Sequence, residues 1–164
     1  MNDCKYGYRV KDNCIDLALL RSPKYPDPES DMGDHIFTYS FYPHKGTMIS
    51  SQVQESAAAL NRMPLIFPGF AHSPTLPKLK INGSGVILGT LKKAEKENCL
   101  IIRLVENKGN FSKIVLELSD KDAILVETDL IEWENGAEFT ARDGKVELEF
   151  SPFEIKTFKL KSTE

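Results

Sequence analysis

The side chains that most often carry out chemistry are sparse in this 164-residue sequence, which has only three histidines, His35, His44 and His72. His35 and His44 flank a segment that we predict to be a strand. Since a strand rises about 3.3 Å per residue, these two side chains are too far apart to share a metal ion. Surface positions at strand ends are the favoured interpretation for both.

Four carboxylates are concentrated in one segment, at Asp27, Glu29, Asp31 and Asp34. A cluster of this kind could offer oxygen atoms to a cation or to the hydroxyl groups of a sugar. The spacing lacks the D-x-[DN]-x-[DN]-G pattern and the closing glutamate of a calcium loop. Solvated loop charge is therefore favoured over a metal site.

The three cysteines, Cys4, Cys14 and Cys99, are odd in number and widely spaced. They match neither a disulfide framework nor a zinc ribbon, so we expect reduced thiols in a core. Cys99 begins an apolar segment with no histidine nearby in sequence, which argues against a catalytic thiolate. Trp133 could stack on a sugar ring, but packing at the rim of the core is the more frequent role for a tryptophan at a strand end.

The elements that must position these residues are predicted to be mostly strands. Residues 13–20 (NCIDLALL) and 35–42 (HIFTYSFY) alternate apolar and polar positions, as half-buried strands do. Between them, Pro23, Pro26 and Pro28 withhold backbone donors, so this part of the chain is predicted to be a long exposed connection.

The next segment carries the best helix pattern, over residues 51–61 (SQVQESAAALN). Ser50 or Ser51 is predicted to cap this helix, which would pack on a sheet. Residues 63–78 contain four prolines and are predicted to form an extended connector that lies against a surface. This change in composition marks a domain boundary.

Beyond the connector, short strand patterns alternate with turn residues, which predicts an antiparallel sandwich. The glycine-rich NGSGVILG segment matches no nucleotide-binding pattern and is predicted to be a turn that leads into a strand. Asp143-Gly144 is predicted to close a tight hairpin. A bulge is expected near Lys156 or Thr157 unless both faces of the last strand are covered. The predicted fold class is all-β, an antiparallel β-sandwich with one short helix.

Composition narrows the classes of partner. Hydrophobic residues make up 41% and charged residues 27%, as in globular proteins, and the net charge of −3 comes without a dense basic run. Nucleic acid is therefore excluded as an expected partner. No apolar stretch approaches the roughly 20 residues of a membrane span, and the N-terminus lacks a signal-peptide core. We expect no membrane association and a cytoplasmic location.

Several blocks of the sequence are similar to the C-terminal β-rich region of the α-mannosidases of glycoside hydrolase family 38. These blocks are NDCKYGY, LALLRSPKYPDP, DHIFTYSFYPH, GVILGTLKKAEKENCLIIRLVE, ETDLIE and SPFEIKTFKL, in this order. The resemblance implies that residues 1–50 are terminal strands of the large central β-domain of the family. Residues 51–78 would then be a short helix and a proline-rich connector, and residues 79–164 a small C-terminal β-sandwich.

The resemblance implies a role without chemistry of its own. Family members are retaining glycosidases, which need two carboxyl groups roughly 5 Å apart, and their zinc ligands and catalytic carboxylates lie in an N-terminal domain. Nothing in this sequence matches that domain, so the chain alone should not hydrolyse mannosides, and zinc is expected only in the catalytic domain of the full enzyme. The implied partner is that domain, in cis or in trans, through an apolar face around Phe37, Tyr39, Phe41 and the PLIFPGF connector.

One residue could still reach the substrate, because Arg21 matches a family arginine that approaches the sugar site. A planar guanidinium can hold sugar hydroxyls, whereas a solvated arginine is the alternative. Two other functions remain open. The chain could be a free-standing carbohydrate-binding β-sandwich that stacks sugars on Trp133, Tyr25 or Tyr42, or a purely structural module that forms homo-oligomers.

Overall fold

The computed structural model describes residues 7–62, 66, 68–69 and 79–161 of the chain. The chain divides into two compact units, Met1–Phe70 and Ala71–Glu164. The elements of the first unit are β1 (Tyr8–Lys11), β2 (Cys14–Leu17) and α1 (Val53–Asn61). Those of the second are β3 (Leu79–Asn82), β4 (Val86–Lys93), β5 (Leu100–Glu106), β6 (Ser112–Leu118), β7 (Ile124–Thr128), β8 (Asn135–Thr140), β9 (Lys145–Phe150) and β10 (Ile155–Lys161).

The first unit holds one small antiparallel pair, β1 and β2, which turns at Asp12 with a φ of +53°. Arg9 and Asp16 face each other across the pair and form an ion pair at 2.7 Å. The prediction of a strand over residues 13–20 is confirmed for its first half. Its apolar face is not half-buried, however, because Ile15 is exposed.

The predicted strand over residues 35–42 is wrong, since this segment has no regular secondary structure. A strand forms when its backbone pairs with a neighbour, and none of the described residues supplies one. Its aromatic side chains are consequently exposed, Phe41 to 78%. The predicted long connection over residues 21–34 is confirmed as irregular and largely exposed.

The predicted helix is confirmed as α1, but two details of it are wrong. The helix begins after Gln52, whose side chain makes no capping hydrogen bond, whereas Ser51 Oγ accepts a hydrogen bond from the Val53 amide at 3.4 Å. No residue of α1 is buried, so the expected packing on a sheet is not seen. The connector predicted over residues 63–78 lies largely outside the described residues.

The second unit is the predicted antiparallel sandwich. One sheet has five strands in the order β4-β5-β10-β7-β8, and the other has three in the order β3-β6-β9. Apolar side chains from both sheets meet in one core, whose fully buried members include Leu104, Leu116, Leu125, Phe150 and Phe158. Burial of this apolar surface is the main source of stability for the unit.

The turn at Asp143-Gly144 is confirmed, but the strands on either side of it do not pair as a hairpin. Their φ values are +52° and +75°, and the backbones of Arg142 and Lys145 exchange hydrogen bonds at 3.0 and 3.1 Å. Beyond this bridge β8 joins the five-stranded sheet and β9 the other one. The turn therefore carries the chain from one layer of the sandwich to the other.

The last strand, β10, has no bulge, because both of its faces are covered. Its register with β5 and β7 is continuous, and Thr157, Phe158 and Lys159 are all buried. The observed irregularities lie in neighbouring strand pairs, between Leu88 and Thr90 and between Val126 and Thr128.

Replacing Gly144 with alanine is expected to destabilise the sandwich by about 1 to 2 kcal/mol. The positive φ disfavours any side chain, and a Cβ would lie only 2.7 Å from the Leu118 carbonyl oxygen. Gly136→Ala is the matched control, since a Cβ there would meet its nearest atom at an ordinary 3.5 Å. Urea unfolding of both variants measures the difference, and equal midpoints would contradict this account of the turn.

Candidate functional site

Arg21, the residue that the resemblance connects with substrate, lies beyond β2 on the exposed connection. The next residue, Ser22, has a φ of +47°, and its amide donates a hydrogen bond to Asp31 Oδ2 at 2.9 Å. The acidic segment thus folds back and holds the backbone beside Arg21. A role for Arg21 in substrate binding stays a prediction.

The acidic cluster organises its own loop. Asp27 Oδ1 accepts a hydrogen bond from the Glu29 amide at 2.9 Å, and Asp31 is engaged by Ser22. Among the described residues no three histidine, cysteine or acidic side chains are grouped so that they could hold a metal ion. The interpretation as loop charge is consistent with these contacts.

The histidines and cysteines are dispersed. The ring of His35 stacks on Phe37 and that of His44 on Tyr42, with centroids 5.9 and 6.3 Å apart, both at the surface. His72 lies outside the described residues.

The two described thiols, Cys14 and Cys99, are both free, but only one is sheltered. The prediction of core thiols is wrong for Cys14, which is exposed, and Cys99 is only partly buried. Burial, and then the charge of Glu97, raise the pKa of the Cys99 thiol, so it is protonated and a poor nucleophile at neutral pH. Cys4 lies outside the described residues.

The described part of the first unit has no buried core. Not one residue between 7 and 62 is buried, and many large apolar side chains are exposed, among them Tyr25, Ile36, Tyr39 and Phe41. A chain of this length normally buries more than half of its surface when it folds alone. Large exposed apolar surfaces of this kind mark interaction sites.

Glu106 is a buried carboxylate, 1% exposed, that sequence reasoning missed. It accepts hydrogen bonds from the amides of Lys108, Gly109 and Phe153 at 3.0, 2.8 and 2.8 Å. Burial raises the pKa of this carboxyl, but the backbone hydrogen bonds outweigh burial and hold the pKa below its ordinary value. Glu106 is therefore a charged structural group that ties two turns together.

Glu132 is a second buried carboxylate with separate partners. Lys92 Nζ lies 2.8 Å from its Oε1, and the Glu95 amide donates to its Oε2 at 2.9 Å. The Lys92 hydrogen bond, followed by that of the Glu95 amide, lowers the pKa of Glu132. Glu132 is therefore a charged structural group, like Glu106, but it is compensated by an ion pair as well as by a backbone amide.

One end of the sandwich is open and forms a groove of about 500 Å³ between the sheets. Five leucines line it, with Lys93, Asn98, Cys99, Ser119 and Asp120 at its edges. Asp120 is the one carboxylate that the described residues contribute to this lining.

Comparison with known proteins identifies the second unit. Residues 85–158 match the family described as the glycosyl hydrolases family 38 C-terminal beta sandwich domain. This part of the chain is a family 38 C-terminal domain. Two of the similar blocks, which begin with GVILGTLK and ETDLIE, lie in the matched range, and a third, SPFEIKTFKL, begins in it.

Over nearly its whole length, the chain that contains this family 38 domain is similar to α-mannosidases. The chain is 37% identical over 168 residues to α-mannosidase 2C1 of Homo sapiens, covering 98% of this chain and 16% of that protein. It is 36% identical over 169 residues to α-mannosidase G of Dictyostelium discoideum, with coverages of 97% and 15%. It is 30% identical over 191 residues to an α-mannosidase of Saccharomyces cerevisiae, with coverages of 98% and 17%. The chain thus spans about one sixth of the length of these relatives.

The family 38 domain and the rest of the described chain contain no helix long and apolar enough to cross a membrane.

The sequence contains only a weak indication that Glu106 and Glu132 are buried, since each follows a run of apolar residues, in LIIRLVE and DLIE. An acidic residue there is usually solvated, so only the folded structure distinguishes these two from the exposed glutamates.

Proposed function

We propose that this chain is the C-terminal part of a family 38 α-mannosidase, which hydrolyses terminal α-mannosides, and that it supports the catalytic part without chemistry of its own. The observation that carries this proposal is the absence of any buried residue over residues 7–62. A segment without a core needs another surface to cover its apolar side chains. The relatives are about six times longer than this chain, which supports a covering surface in the remainder of such an enzyme.

In this proposal the zinc ion and the catalytic carboxylates belong to the remainder of the enzyme. Arg21 would extend from the first unit towards the sugar, where its guanidinium could bind hydroxyl groups. Its exposure and the fixed backbone at Ser22 support that role. A cytoplasmic location is part of the same proposal.

Association with a shortened relative tests the proposed function. The partner is α-mannosidase G of Dictyostelium discoideum from which the segment matching this chain has been removed. Sedimentation velocity is expected to show a one-to-one complex with a Kd below about 1 µM, as for specific protein interfaces. Intact α-mannosidase G is the control, because its own segment already occupies the position. No complex at about 50 µM of each protein would overturn the proposal.

A second candidate is a free-standing carbohydrate-binding module, favoured by the exposure of Trp133 and Tyr25. It predicts saturable quenching of tryptophan fluorescence when the isolated chain is titrated with mannose or mannobiose. The proposed function predicts no saturable change. Sedimentation of the chain by itself distinguishes a third role, a structural homo-oligomer.

A further inference from the structure

The loop between β7 and β8, residues 129–134, exposes three large apolar side chains within four positions. Leu130, Ile131 and Trp133 are 58%, 59% and 63% exposed, whereas Glu132 between them is 7% exposed. We call Leu130, Ile131 and Trp133 the apolar tip of this loop. Clusters of exposed apolar side chains usually mark contact sites.

The buried Glu132 fixes the loop to the sandwich. Its two oxygen atoms are held by Lys92, at 2.8 Å, and by the Glu95 amide, at 2.9 Å. Lys92 also pairs with Glu95 at 2.5 Å. The Glu132 side chain thereby anchors the loop to β4, an edge strand of the five-stranded sheet.

The loop backbone is fixed as well. Arg103 Nη2 donates to the Leu130 carbonyl at 2.9 Å, and the Trp133 amide donates to Asp129 Oδ1 at 2.7 Å. Glu132 has a φ of +67°, an unfavourable conformation for a residue with a side chain. Such strain persists only where the surroundings determine the conformation, and it is concentrated at functional sites.

A rigid loop with an exposed apolar tip is preorganised for binding, because little conformational entropy is lost when a partner covers it. We propose that the apolar tip is a docking contact for the remainder of a family 38 α-mannosidase polypeptide. This inference rests on the proposed function and adds the residues that make the contact. The length of the relatives outside the matched segment supports this occupant, since only 15–17% of each is represented here.

The chemistry of the tip favours a protein partner over a sugar. Lys96 Nζ lies 3.8 Å from the centre of the Trp133 ring, so it occupies one ring face. Leu130 and Ile131 offer no hydrogen bonds to hydroxyl groups, which a sugar site requires. A tryptophan that is exposed in the free protein and becomes buried on binding, together with apolar neighbours, is typical of the energetic centre of a protein interface.

The test uses the full chain and the shortened α-mannosidase G. The double variant Ile131→Ser, Trp133→Ser is expected to bind the partner at least about thirtyfold more weakly than the unchanged chain. Phe111→Ser is the matched control, because Phe111 is 67% exposed on the same unit but lies outside the loop. The control should bind within about threefold of the unchanged chain. Leu130→Ser provides a second loop variant, and thermal unfolding verifies that each variant folds.

Five outcomes separate the possibilities. Weaker binding by both loop variants with an unchanged control supports the docking contact. Unchanged binding by folded loop variants overturns the contact and leaves the proposed function intact. An equal loss for Phe111→Ser also overturns it, because any exposed apolar residue would then suffice. Failure of the unchanged chain to bind overturns the proposed function itself. Saturable binding of mannobiose in titration calorimetry that the double variant loses would overturn the docking contact and assign the tip to carbohydrate.

Discussion

Replacing Glu106 with alanine is expected to lower the free energy of unfolding of the β-sandwich by about 3 kcal/mol. The substitution removes an acceptor that engages the amides of Lys108, Gly109 and Phe153. These amides belong to two separate turns, so the turns lose their common partner together with the hydrogen bonds. Urea unfolding of the full chain, followed by circular dichroism, measures the effect.

The control for this variant is Glu149→Ala, on an exposed face of β9. The Glu149 carboxylate pairs with the exposed Lys113, at 3.5 Å, and exposed pairs of this kind contribute little. Its unfolding midpoint should remain close to that of the unchanged chain. A similar loss for both variants would show that burial of Glu106 is not the cause.

The pH dependence of a second variant, Glu106→Gln, tests the charge of Glu106. Because its pKa is below the ordinary 4.5 in the folded state, Glu106 contributes stability above that pH. The contribution is lost as the pH falls through the folded pKa. The difference in unfolding free energy between the unchanged chain and Glu106→Gln should therefore be larger at neutral pH than in acid. A difference that does not change with pH would contradict an ionised Glu106.

The second large effect concerns activity. Adding this chain to the shortened α-mannosidase G is expected to raise hydrolysis of a chromogenic α-mannoside at least about a hundredfold. A displacement of catalytic groups by about 1 Å is enough to cost this factor, even when its cause is far from the chemistry. A missing supporting domain therefore affects rate as well as stability. The rate at saturating chain concentration, relative to the shortened enzyme alone, is the measurement.

Strand positions in the second unit could be predicted because they depend on local alternation. In β9, Val146, Leu148 and Phe150 are buried and the residues between them are exposed, as the sequence pattern indicates. Pairing depends on the whole sandwich, which local pattern does not contain. The Asp143-Gly144 turn accordingly looked like a hairpin but joins two different sheets.

Strands in the first unit were harder to predict, because an alternating pattern forms a strand only where a neighbouring strand and a covering surface are present. Phe37, Tyr39 and Phe41 alternate as in a half-buried strand, yet no neighbour among the described residues pairs with that segment. The prediction that Cys14 lies in a core is wrong for the same reason, since its strand β2 faces no core among the described residues. The resemblance, which anticipated an exposed apolar face, was more informative here than the pattern.

The candidate sites likewise differ in how far local sequence describes them. The sequence pattern favoured loop charge for the acidic segment, and its described carboxylates accept hydrogen bonds from backbone amides. The sequence could not reveal that Glu106 and Glu132 are buried, because the Phe153 amide and Lys92, which help to compensate their charges, come from distant parts of the chain.

The central claim, that the chain contributes to an α-mannosidase without chemistry of its own, is tested most directly by one activity assay with three samples. These are the purified chain, the shortened α-mannosidase G, and the two together, each with a chromogenic α-mannoside and added zinc. We expect no turnover from the chain, little from the shortened enzyme and strong activity from the mixture. Turnover by the chain alone, or a mixture no more active than the shortened enzyme, would contradict the account.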